Sequence, residues 1–292
     1  IMNIVILGCT GYVGSRFYLT ALRRKHTVNV ITRQSANLAD YKSVKDVLSV
    51  LNPSFVINAA GYTGKPNVDA CELNKDDTII GNVLLPQVVA QVCDTLGIRW
   101  GHVSSGCIYS GDNGGKGFTE KDEPNFSFDN PPCSFYSGTK ALGEKILMNE
   151  YDPPYIWRLR IPFDEYNGPR NYLTKLMKYD KLLSARNSIS HRREFCEACL
   201  ELAETWAPAG IYNVCNPGSV TTEEVVKVIK KRLKLKKKFK FFEDEEHFMG
   251  NVKTYRSNCV MNVDKLLKTG VTMSPVMEAL DMALKDWKDT NE

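Results

Sequence analysis

The sequence predicts an α/β fold in which a doubly wound parallel sheet carries a smaller C-terminal lobe. Short apolar runs alternate with amphipathic helical stretches along the first half of the chain, the order typical of a parallel sheet covered by helices. A glycine-rich turn joins the first apolar run to the first helix, as it does in such sheets. Beyond residue 165, longer insertions separate the strands. We therefore expect a sheet domain over residues 1–165 and a smaller lobe over residues 166–292, from which some strands and helices return to the sheet.

The composition is that of an ordinary globular protein, since the 292 residues are 43% hydrophobic and 25% charged, with a net charge of +4. A basic cluster at residues 230–240 is followed by acidic residues 243–246, which favours a solvated helix end and a lysine-guarded edge strand over a nucleic-acid surface. No apolar run approaches the roughly 20 residues of a membrane span, and no signal peptide is recognisable. We expect a cytoplasmic protein without nucleic-acid or membrane partners.

The nine cysteines are scattered and odd in number, which favours reduced thiols over a disulfide framework. Cys196 and Cys199 form a C-x-x-C pair, but it lies in a helical pattern without a second pair at zinc spacing. We therefore predict no metal site.

The first strand, predicted at residues 3–7, leads directly into a glycine-rich turn. Gly8, Gly11 and Gly14 form a G-x-x-G-x-x-G motif between that strand and a helical stretch over residues 15–24. Glycines allow the tight turn and let backbone N–H groups approach a pyrophosphate at the helix N-terminus. The motif predicts a dinucleotide-binding (Rossmann) domain. The expected cofactor contacts in this turn are Gly8, Thr10, Gly11, Tyr12, Val13 and Gly14.

The second strand, at residues 28–31, bears on the choice of cofactor. An enzyme that prefers NAD usually has an acidic residue at the end of this strand, on the ribose 2′-hydroxyl. Here Arg33 stands near that place, and no acid occurs between Gly14 and Asp40. Arg33 can pair with a 2′-phosphate, so NADPH is favoured and NADH is the alternative; Arg33 can also be an exposed loop residue. Asp40 is either the N-cap of a helix over residues 41–51 or an adenine contact.

The third strand, at residues 54–61, ends in Ala59, Ala60 and Gly61, whose small size lets a cofactor approach the backbone. A polar loop over residues 63–72 and a long helix over residues 78–95 follow. Residues 111–133 form a loop rich in Gly, Asp, Asn and Pro, interpreted as a flap on the substrate side. The later elements are predicted as a strand at residues 155–160, a strand and turn at 210–218, a helix at 222–233 capped by Thr221 or Thr222, and a last helix at 274–287.

The fourth strand leads into Ser105-Gly106-Cys107, and a later helix carries Tyr136 and Lys140. If the strand stays extended through Gly106, the Ser105 hydroxyl and the Cys107 thiol point to the same face. Tyr136 and Lys140 are four residues apart and share one helix face. These are the parts of a ketone reductase. Tyr136 would donate the proton, Ser105 would hold the same oxygen, and Lys140 would lower the phenol pKa from about 10 and contact the nicotinamide ribose.

Cys107 has two interpretations. It can be a small buried apolar residue, or a base that removes a proton from the carbon next to a hydrogen-bonded ketone. Inverting that carbon requires an acid on the opposite face, and Lys175, on a helix opened by residues 168–171, could supply it. The residues alone leave packing and epimerisation equally open.

The glycine-rich turn together with Tyr136-Ser137-Gly138-Thr139-Lys140 resembles the extended short-chain dehydrogenases/reductases. The loop AAGYTGKPNVDACE at residues 59–72 is similar to that of the UDP-4-keto-6-deoxyglucose 3,5-epimerase/4-reductases, which make UDP-L-rhamnose in plants and have relatives in giant viruses. Residues 105–108, 124–126, 134–137, 169–175 and 256–258 match the same family in order, so the resemblance covers essentially the whole chain.

The resemblance implies a bifunctional nucleotide-sugar enzyme that uses NADPH. Ser105, Tyr136 and Lys140 would form the reductase triad, and Cys107 with Lys175 would form the epimerase acid–base pair. The substrate would be a UDP-4-keto-6-deoxy sugar, supplied by a separate 4,6-dehydratase, and the enzyme could act as a homodimer. Contacts to the nucleotide sugar are expected from Thr63, Lys65, Asn67, Asn171 and Arg256.

Two residues depart from the family pattern. Ala70 stands where the family usually has Trp, which affects the expected sugar or dimer side of the loop, and Ser105 replaces the Thr of plant members while keeping the hydroxyl. Two other functions stay open. One is a reductase acting only on dTDP- or UDP-4-ketorhamnose, which needs neither Cys107 nor Lys175. The other is a non-catalytic dinucleotide-binding regulatory subunit, which the presence of both Tyr136 and Lys140 disfavours.

Overall fold

The computed structural model describes residues 1–289. Its strands are β1 (Asn3–Leu7), β2 (Thr27–Ile31), β3 (Phe55–Asn58), β4 (Arg99–Ser105), β5 (Tyr155–Leu159), β6 (Pro162–Phe163), β7 (Lys181–Leu182), β8 (Arg186–Asn187), β9 (Ser190–His191), β10 (Gly210–Asn213), β11 (Val220–Thr221) and β12 (Lys240–Phe241). Its helices are α1 (Tyr12–Arg23), α2 (Tyr41–Leu51), α3 (Asp69–Leu73), α4 (Lys75–Ile79), α5 (Leu85–Leu96), α6 (Phe135–Glu150), α7 (Tyr172–Lys178), α8 (Arg192–Glu204), α9 (Thr222–Leu233), α10 (Glu245–Met249), α11 (Asp264–Lys268) and α12 (Val276–Lys285). A π-helical turn, Ile80–Leu84, connects α4 to α5.

The central sheet has six parallel strands in the order β10-β5-β4-β3-β1-β2, which confirms the predicted doubly wound fold. The chain builds β2 on one side of β1 and then places β3 on the other side. In open α/β sheets, ligands bind beyond the carboxyl ends of the strands at such a reversal. The glycine-rich turn after β1 and the small residues after β3 therefore lie side by side, since Leu7 pairs with Asn58.

Helices cover both faces of this sheet, which explains why its strands consist of nearly continuous apolar residues. Alternate residues of β1 point to opposite faces: Ile4 and Ile6 join one buried cluster, and Val5 and Leu7 join another. The first cluster includes Phe17, Trp157 and Phe195, because α1 and α8 pack together on that face. The second cluster lies under α2 and α5.

The smaller lobe has its own core, built from α7, α9 and α12 with the short strands beside them. Its buried residues include Phe163, Leu173, Val225 and Leu280. Two segments later than residue 165 lie with the sheet, because α8 packs on α1 and β10 extends the sheet beside β5.

The local signals that begin helices are confirmed where they can be checked. The Asp40 carboxylate accepts a hydrogen bond from the Ser43 N–H at 2.8 Å and caps α2. Thr221 caps α9 in a reciprocal capping box with Glu224. Of the two interpretations of Asp40, the N-cap is therefore the one that the structure shows.

The helical stretch Lys75–Leu96 corrects the expectation about apolar runs. Its 22 residues are long and apolar enough to cross a membrane by length and composition. This was not apparent from the sequence because Asn82, Gln87 and Gln91 interrupt the apolar residues of the stretch. In this structure half of its most apolar window is buried, and α5 packs against α2 and α6. The stretch is thus a core helix of the sheet domain.

Candidate active site

The glycine-rich turn has a geometry that larger residues could not adopt. Gly8 has a φ of +80°, and a Cβ added there would lie 2.5 Å from the Ala60 nitrogen. A Cβ on Gly14 would lie 1.8 Å from the Gly8 carbonyl oxygen. The turn is thus pressed against the end of β3 and against the first turn of α1.

A cleft of about 670 Å³ opens in front of this turn. Helix α1 begins at Tyr12, and its N-cap residue Gly11 has no side chain to cap it, so the N-terminal N–H groups are suited to bind an anion. These features fit the pyrophosphate of a dinucleotide. The cleft is lined by Cys9, Thr10, Gly11, Tyr12, Ser15, Tyr18, Leu19, Val30, Asp164, Tyr166, Asn167, Gly168, Pro169, Arg170 and Arg192.

Arg192, the first residue of α8, connects the glycine-rich turn to the segment after β6, a contact that was not predicted from the sequence. Its Nη1 donates to the Tyr12 carbonyl oxygen at 2.9 Å, and its guanidinium lies 4.3 Å from the Tyr12 ring centroid. Its Nε donates to Asp164 at 2.6 Å. No local pattern joins residues 180 positions apart, so this contact had no signal in the sequence.

Arg33, the residue predicted to bind a 2′-phosphate, lies at the same edge of the sheet as the glycine-rich turn. Arg33 is exposed two residues beyond the end of β2, at the carboxyl edge of the sheet. Ala59, Ala60 and Gly61 follow β3 at the same edge, as predicted. The predicted cofactor residues are thus distributed along one edge of the sheet.

Ser105 and Cys107 lie together, although not by the predicted route. Strand β4 ends at Ser105 and the chain turns at Gly106, whereas we expected an extended strand through Cys107. The Ser105 Oγ accepts a hydrogen bond from the Cys107 N–H at 3.1 Å and lies 2.6 Å from the Cys107 Sγ. A Cβ on Gly106 would lie 2.3 Å from the Met261 Sδ, which explains the glycine. The hydroxyl and the thiol meet because the turn folds back on the serine.

Tyr136 and Lys140 lie on α6, whose N-terminus is capped by Ser134. Lys140 is buried, and its Nζ donates to the Val103 carbonyl oxygen at 3.2 Å. Burial lowers the pKa of Lys140 to about 8. The expectation that Lys140 depresses the Tyr136 pKa is wrong for this structure: burial and then the nearby Cys107 raise that pKa well above its ordinary value, and a hydrogen bond with Ser105 does not offset them. A phenol that keeps its proton is suited to act as a proton donor.

Asn82 connects the loop after β3, on the cofactor side of the site, to α6. It lies on the π-helical turn, which offsets its side chain from an ordinary helix position. Its Oδ1 accepts from the Tyr62 N–H at 2.8 Å, and its Nδ2 donates to the Tyr62 carbonyl at 2.9 Å and to the Thr139 Oγ1 at 3.2 Å. A Cβ on Gly61 would lie 3.7 Å from the Lys140 Nζ. The sequence analysis placed Asn82 on a helix but found no role for it, because a π-helical turn has no sequence signature.

Three cations come together at the substrate side. Arg170 donates to the Gly64 carbonyl oxygen at 2.9 Å, and Arg256 forms an ion pair with Asp69 at 2.8 Å. Lys175 is half-buried on α7; burial lowers its pKa, and the positive charges of Arg170 and Arg256 lower it further. The arrangement suits a doubly charged anion such as a diphosphate.

The remaining predicted substrate residues divide into two groups. Thr63 and Lys65 are exposed on the loop before α3, and the Asn67 Oδ1 accepts from the Asp69 N–H at 2.9 Å. Asn171 corrects the prediction, because it is completely buried, its Oδ1 caps α7 at the Leu173 N–H, and its Nδ2 donates to the Asp164 carbonyl at 2.8 Å. Asn171 therefore shapes the loop before α7 and offers no surface to a sugar.

Within residues 1–289 no group of three or more His, Cys, Asp or Glu side chains is arranged to hold a metal ion. Cys196 and Cys199 are both buried in α8.

A family model described as the RmlD substrate binding domain matches residues 2–288. The chain belongs to this family. An Arabidopsis thaliana relative named bifunctional dTDP-4-dehydrorhamnose 3,5-epimerase/dTDP-4-dehydrorhamnose reductase is 34% identical over 95% of this chain and 91% of its own length. A trifunctional Arabidopsis protein, named for UDP-glucose 4,6-dehydratase, 3,5-epimerase and reductase activities, is 33% identical over 96% of this RmlD-family chain. The match spans only 41% of that longer protein.

Solved structures confirm the fold of the RmlD-family chain. A UDP-rhamnose synthase from Acanthamoeba polyphaga mimivirus superposes with a TM-score of 0.89 at 24% identity, covering 98% of this chain and 99% of that one. A dTDP-4-dehydrorhamnose reductase from Bacillus anthracis, solved in complex with NADP, has a TM-score of 0.82 at 19% identity, covering 99% of this chain and 100% of that one.

Proposed function

We propose that this chain is a bifunctional enzyme that epimerises C3 and C5 of UDP-4-keto-6-deoxyglucose and then reduces C4 with NADPH to give UDP-L-rhamnose. The observation that carries the proposal is the 2.6 Å contact between the Ser105 hydroxyl and the Cys107 thiol, in the site that also holds Tyr136 and Lys140. A reductase alone requires only the hydroxyl, the phenol and the ammonium. The thiol adds a base where an activated ketone would be bound.

The reductase half uses the residues around O4. NADPH, when bound, supplies the hydride equivalent that reduces the C4 ketone. Tyr136 donates a proton to O4, and the Ser105 hydroxyl donates a hydrogen bond to the same oxygen. Lys140, buried one turn further along the same helix, would contact the nicotinamide ribose.

The epimerase half uses Cys107 and Lys175. The Cys107 thiolate takes the proton from C3 or C5, and the C–H bonding electrons move into a C=C bond as the C4 carbonyl becomes an enolate. The Lys175 ammonium then returns a proton to the opposite face of that carbon. The Cys107 proton passes back to the neutral Lys175 amine through solvent, so protons and charge balance over each inversion.

The cation cluster supports an anionic nucleotide-sugar substrate. Arg170 and Arg256 would hold the diphosphate, Lys175 beside them would face the sugar, and the loop with Thr63, Lys65 and Asn67 would close over it. The names of the trifunctional plant relative and the viral synthase support UDP as the nucleotide, whereas the name of the bifunctional plant relative supports dTDP. UDP is proposed because the loop at residues 59–72 resembles the UDP-specific enzymes.

NADPH is proposed as the cofactor because Arg33 lies at the end of β2 and because a similar rhamnose reductase was solved with NADP. The keto sugar would come from a separate 4,6-dehydratase, the activity that the trifunctional plant relative carries in its own chain. A homodimer and a cytoplasmic location remain predictions.

The proposal is tested by turnover of UDP-4-keto-6-deoxyglucose with NADPH in heavy water, followed by NMR. We expect a rhamno product with deuterium at C3 and C5, and Cys107→Ser should abolish that incorporation. Cys133→Ser, which removes a half-buried thiol before α6, is the matched control and should leave it unchanged. Reduced product without deuterium would leave a reductase only. If no keto-deoxy sugar supports NADPH oxidation, the dinucleotide-binding subunit becomes the better interpretation.

A further inference from the structure

Arg160 is a buried cation without a counter-ion. It directly follows β5 and is 3% exposed. Its Nη2 donates to the Asn187 Oδ1 at 2.6 Å and to the Ser257 carbonyl oxygen at 2.7 Å, and both acceptors are neutral. Its Nε is buried without a hydrogen-bond partner, and no carboxylate within residues 1–289 forms an ion pair with it.

The neighbouring arginine makes the contrast clear. Arg158, two residues earlier, is equally buried and forms an ion pair with Glu144 at 2.8 Å. A buried charge normally has such a partner, because removing a charge from water is strongly unfavourable. An unpaired guanidinium in the interior can instead stabilise a negative charge that forms during a reaction.

The position of Arg160 indicates which negative charge it could stabilise. Its Cδ lies 3.3 Å from where a Cβ on Gly106 would stand, so the side chain passes directly behind the turn that carries Cys107. Its charge opposes the rise in pKa that burial imposes on Tyr136 and on Tyr172. Tyr172 lies on α7, one turn before Lys175. Arg160 therefore lies beside the turn that carries the predicted base, and its charge also reaches the helix that carries the predicted acid.

The ionisable groups that face Arg160 are phenols and thiols. Besides the two tyrosines, Cys215 and Cys259 experience its charge, and Cys259 is bonded to the same turn, with its Sγ donating to the Gly106 carbonyl oxygen at 3.4 Å. None of these groups is an ordinary carboxylate counter-ion. The positive charge is thus available to the reacting groups.

We infer that Arg160 is an electrostatic positioning residue for the epimerase half of the proposed reaction. While a proton is off C3 or C5, the site carries one negative charge, first on the Cys107 sulfur and then on the enolate oxygen. The Arg160 charge stabilises that anion at both stages. In the reductase half, Tyr136 becomes negatively charged only as it gives its proton to O4, so this half depends on Arg160 less than a step that forms a full thiolate and enolate does. This inference rests on the proposed function.

The test separates the two half-reactions in Arg160→Gln. Deuterium exchange at C3 and C5 of UDP-4-keto-6-deoxyglucose should fall about 100-fold, the size seen when one preorganised charge-stabilising group is lost. Reduction of already epimerised UDP-4-keto-L-rhamnose, followed by NADPH oxidation at saturating substrate, should fall less than about threefold on the same reasoning. Arg160→Lys, which keeps the charge, should retain more exchange than Arg160→Gln.

Asn187→Asp tests the charge without removing Arg160. The new carboxylate can still accept the hydrogen bonds that Asn187 accepts from Arg160 Nη2 and from the Cys259 N–H, the latter at 2.9 Å. It also gives the guanidinium a counter-ion, so exchange should fall at least about tenfold while reduction is retained. This variant keeps the inference testable if Arg160→Gln fails to fold.

Equal losses of exchange and reduction in the folded variants would make Arg160 a structural residue and overturn the inference. Unchanged exchange in Asn187→Asp would overturn it as well. Both results leave the proposed function intact, because the wild-type chain would still exchange deuterium. A wild-type chain that reduces the substrate without any exchange would overturn the proposed function and this inference together.

Discussion

Replacing Glu144 by Gln would remove one charge from a buried ion pair between α6 and the central sheet. Glu144 and Arg158 are 4% and 2% exposed, and the Glu144 Oε1 accepts from Arg158 Nη2 at 2.8 Å. The other carboxylate oxygen accepts from the Ser104 hydroxyl at 2.5 Å, and Arg158 Nη1 donates to the Tyr109 hydroxyl at 2.9 Å. The pair therefore joins α6 to β4, β5 and the turn after β4.

Breaking a buried pair by removing one partner destabilises a protein by about 3–5 kcal/mol, because the remaining charge stays buried and unpaired. Glutamine keeps one acceptor, but its amide NH₂ faces the guanidinium. For a chain of this size, each kcal/mol shifts the melting temperature by roughly 2–4 °C, so we expect a decrease on the order of 10 °C. Scanning calorimetry and urea unfolding of Glu144→Gln measure this decrease.

The matched control is Asp129→Asn. It removes the carboxylate of a 2.9 Å pair with Lys145 on the same helix, but these side chains are 61% and 58% exposed. Exposed pairs contribute little, so its melting temperature should equal that of the wild type. If Glu144→Gln melts within 2 °C of this control, the reasoning about the buried charge is refuted. Such a result would mean that Arg158 finds an equivalent acceptor, for which Asn213 Oδ1, 3.4 Å away, is the candidate.

Two further predictions concern acid stability and cofactor binding. The pKa of Glu165 is held at about 2, because its hydrogen bond and charge interaction with His191 at 3.1 Å outweigh burial. The stabilisation is complete above the ordinary pKa of 4.5 and is lost as the pH falls towards 2, so the wild type should lose about 3 kcal/mol more than Glu165→Gln between pH 5 and pH 2 in urea titrations. Equal losses would contradict the pairing. Gly14→Ala places a Cβ 1.8 Å from the Gly8 carbonyl oxygen and should weaken NADPH binding at least about tenfold in a fluorescence titration. Gly250→Ala, where the nearest atom is 3.5 Å away, should bind as the wild type does.

The strands of the central sheet could be predicted because their burial leaves a direct trace in the sequence. Strands covered on both faces need nearly continuous apolar residues, as in residues 3–7 and 55–57, and glycine or proline marks where they end. Caps are equally local: Asp40 and Thr221 bond to N–H groups three residues further on. Such signals need no knowledge of the rest of the fold.

The predicted reacting groups come together in the structure, but their backbone path and ionisation could not be predicted. Ser105 and Cys107 were expected to meet on a continuous strand, and they meet instead through a turn in which the Cys107 N–H bonds to the serine hydroxyl. The phenol of Tyr136 was expected to have a lowered pKa, and burial by surrounding elements raises it. Both errors come from long-range packing. The sequence spacing brings the side chains near each other, but the elements that enclose them determine the path of the backbone and the dielectric environment of each ionisable group.

Arg158 and Arg160 show most clearly what the local sequence cannot predict. They are the same residue type, two positions apart at the end of one strand, and each is at least 97% buried. Arg158 meets Glu144 because α6 covers it, whereas Arg160 meets an amide and a carbonyl because β8 and the segment before Cys259 cover it. Nothing in the local sequence distinguishes them. The difference in their partners assigns them different consequences: loss of the Arg158 pair should lower stability, and loss of the Arg160 charge should slow one half-reaction and spare the other.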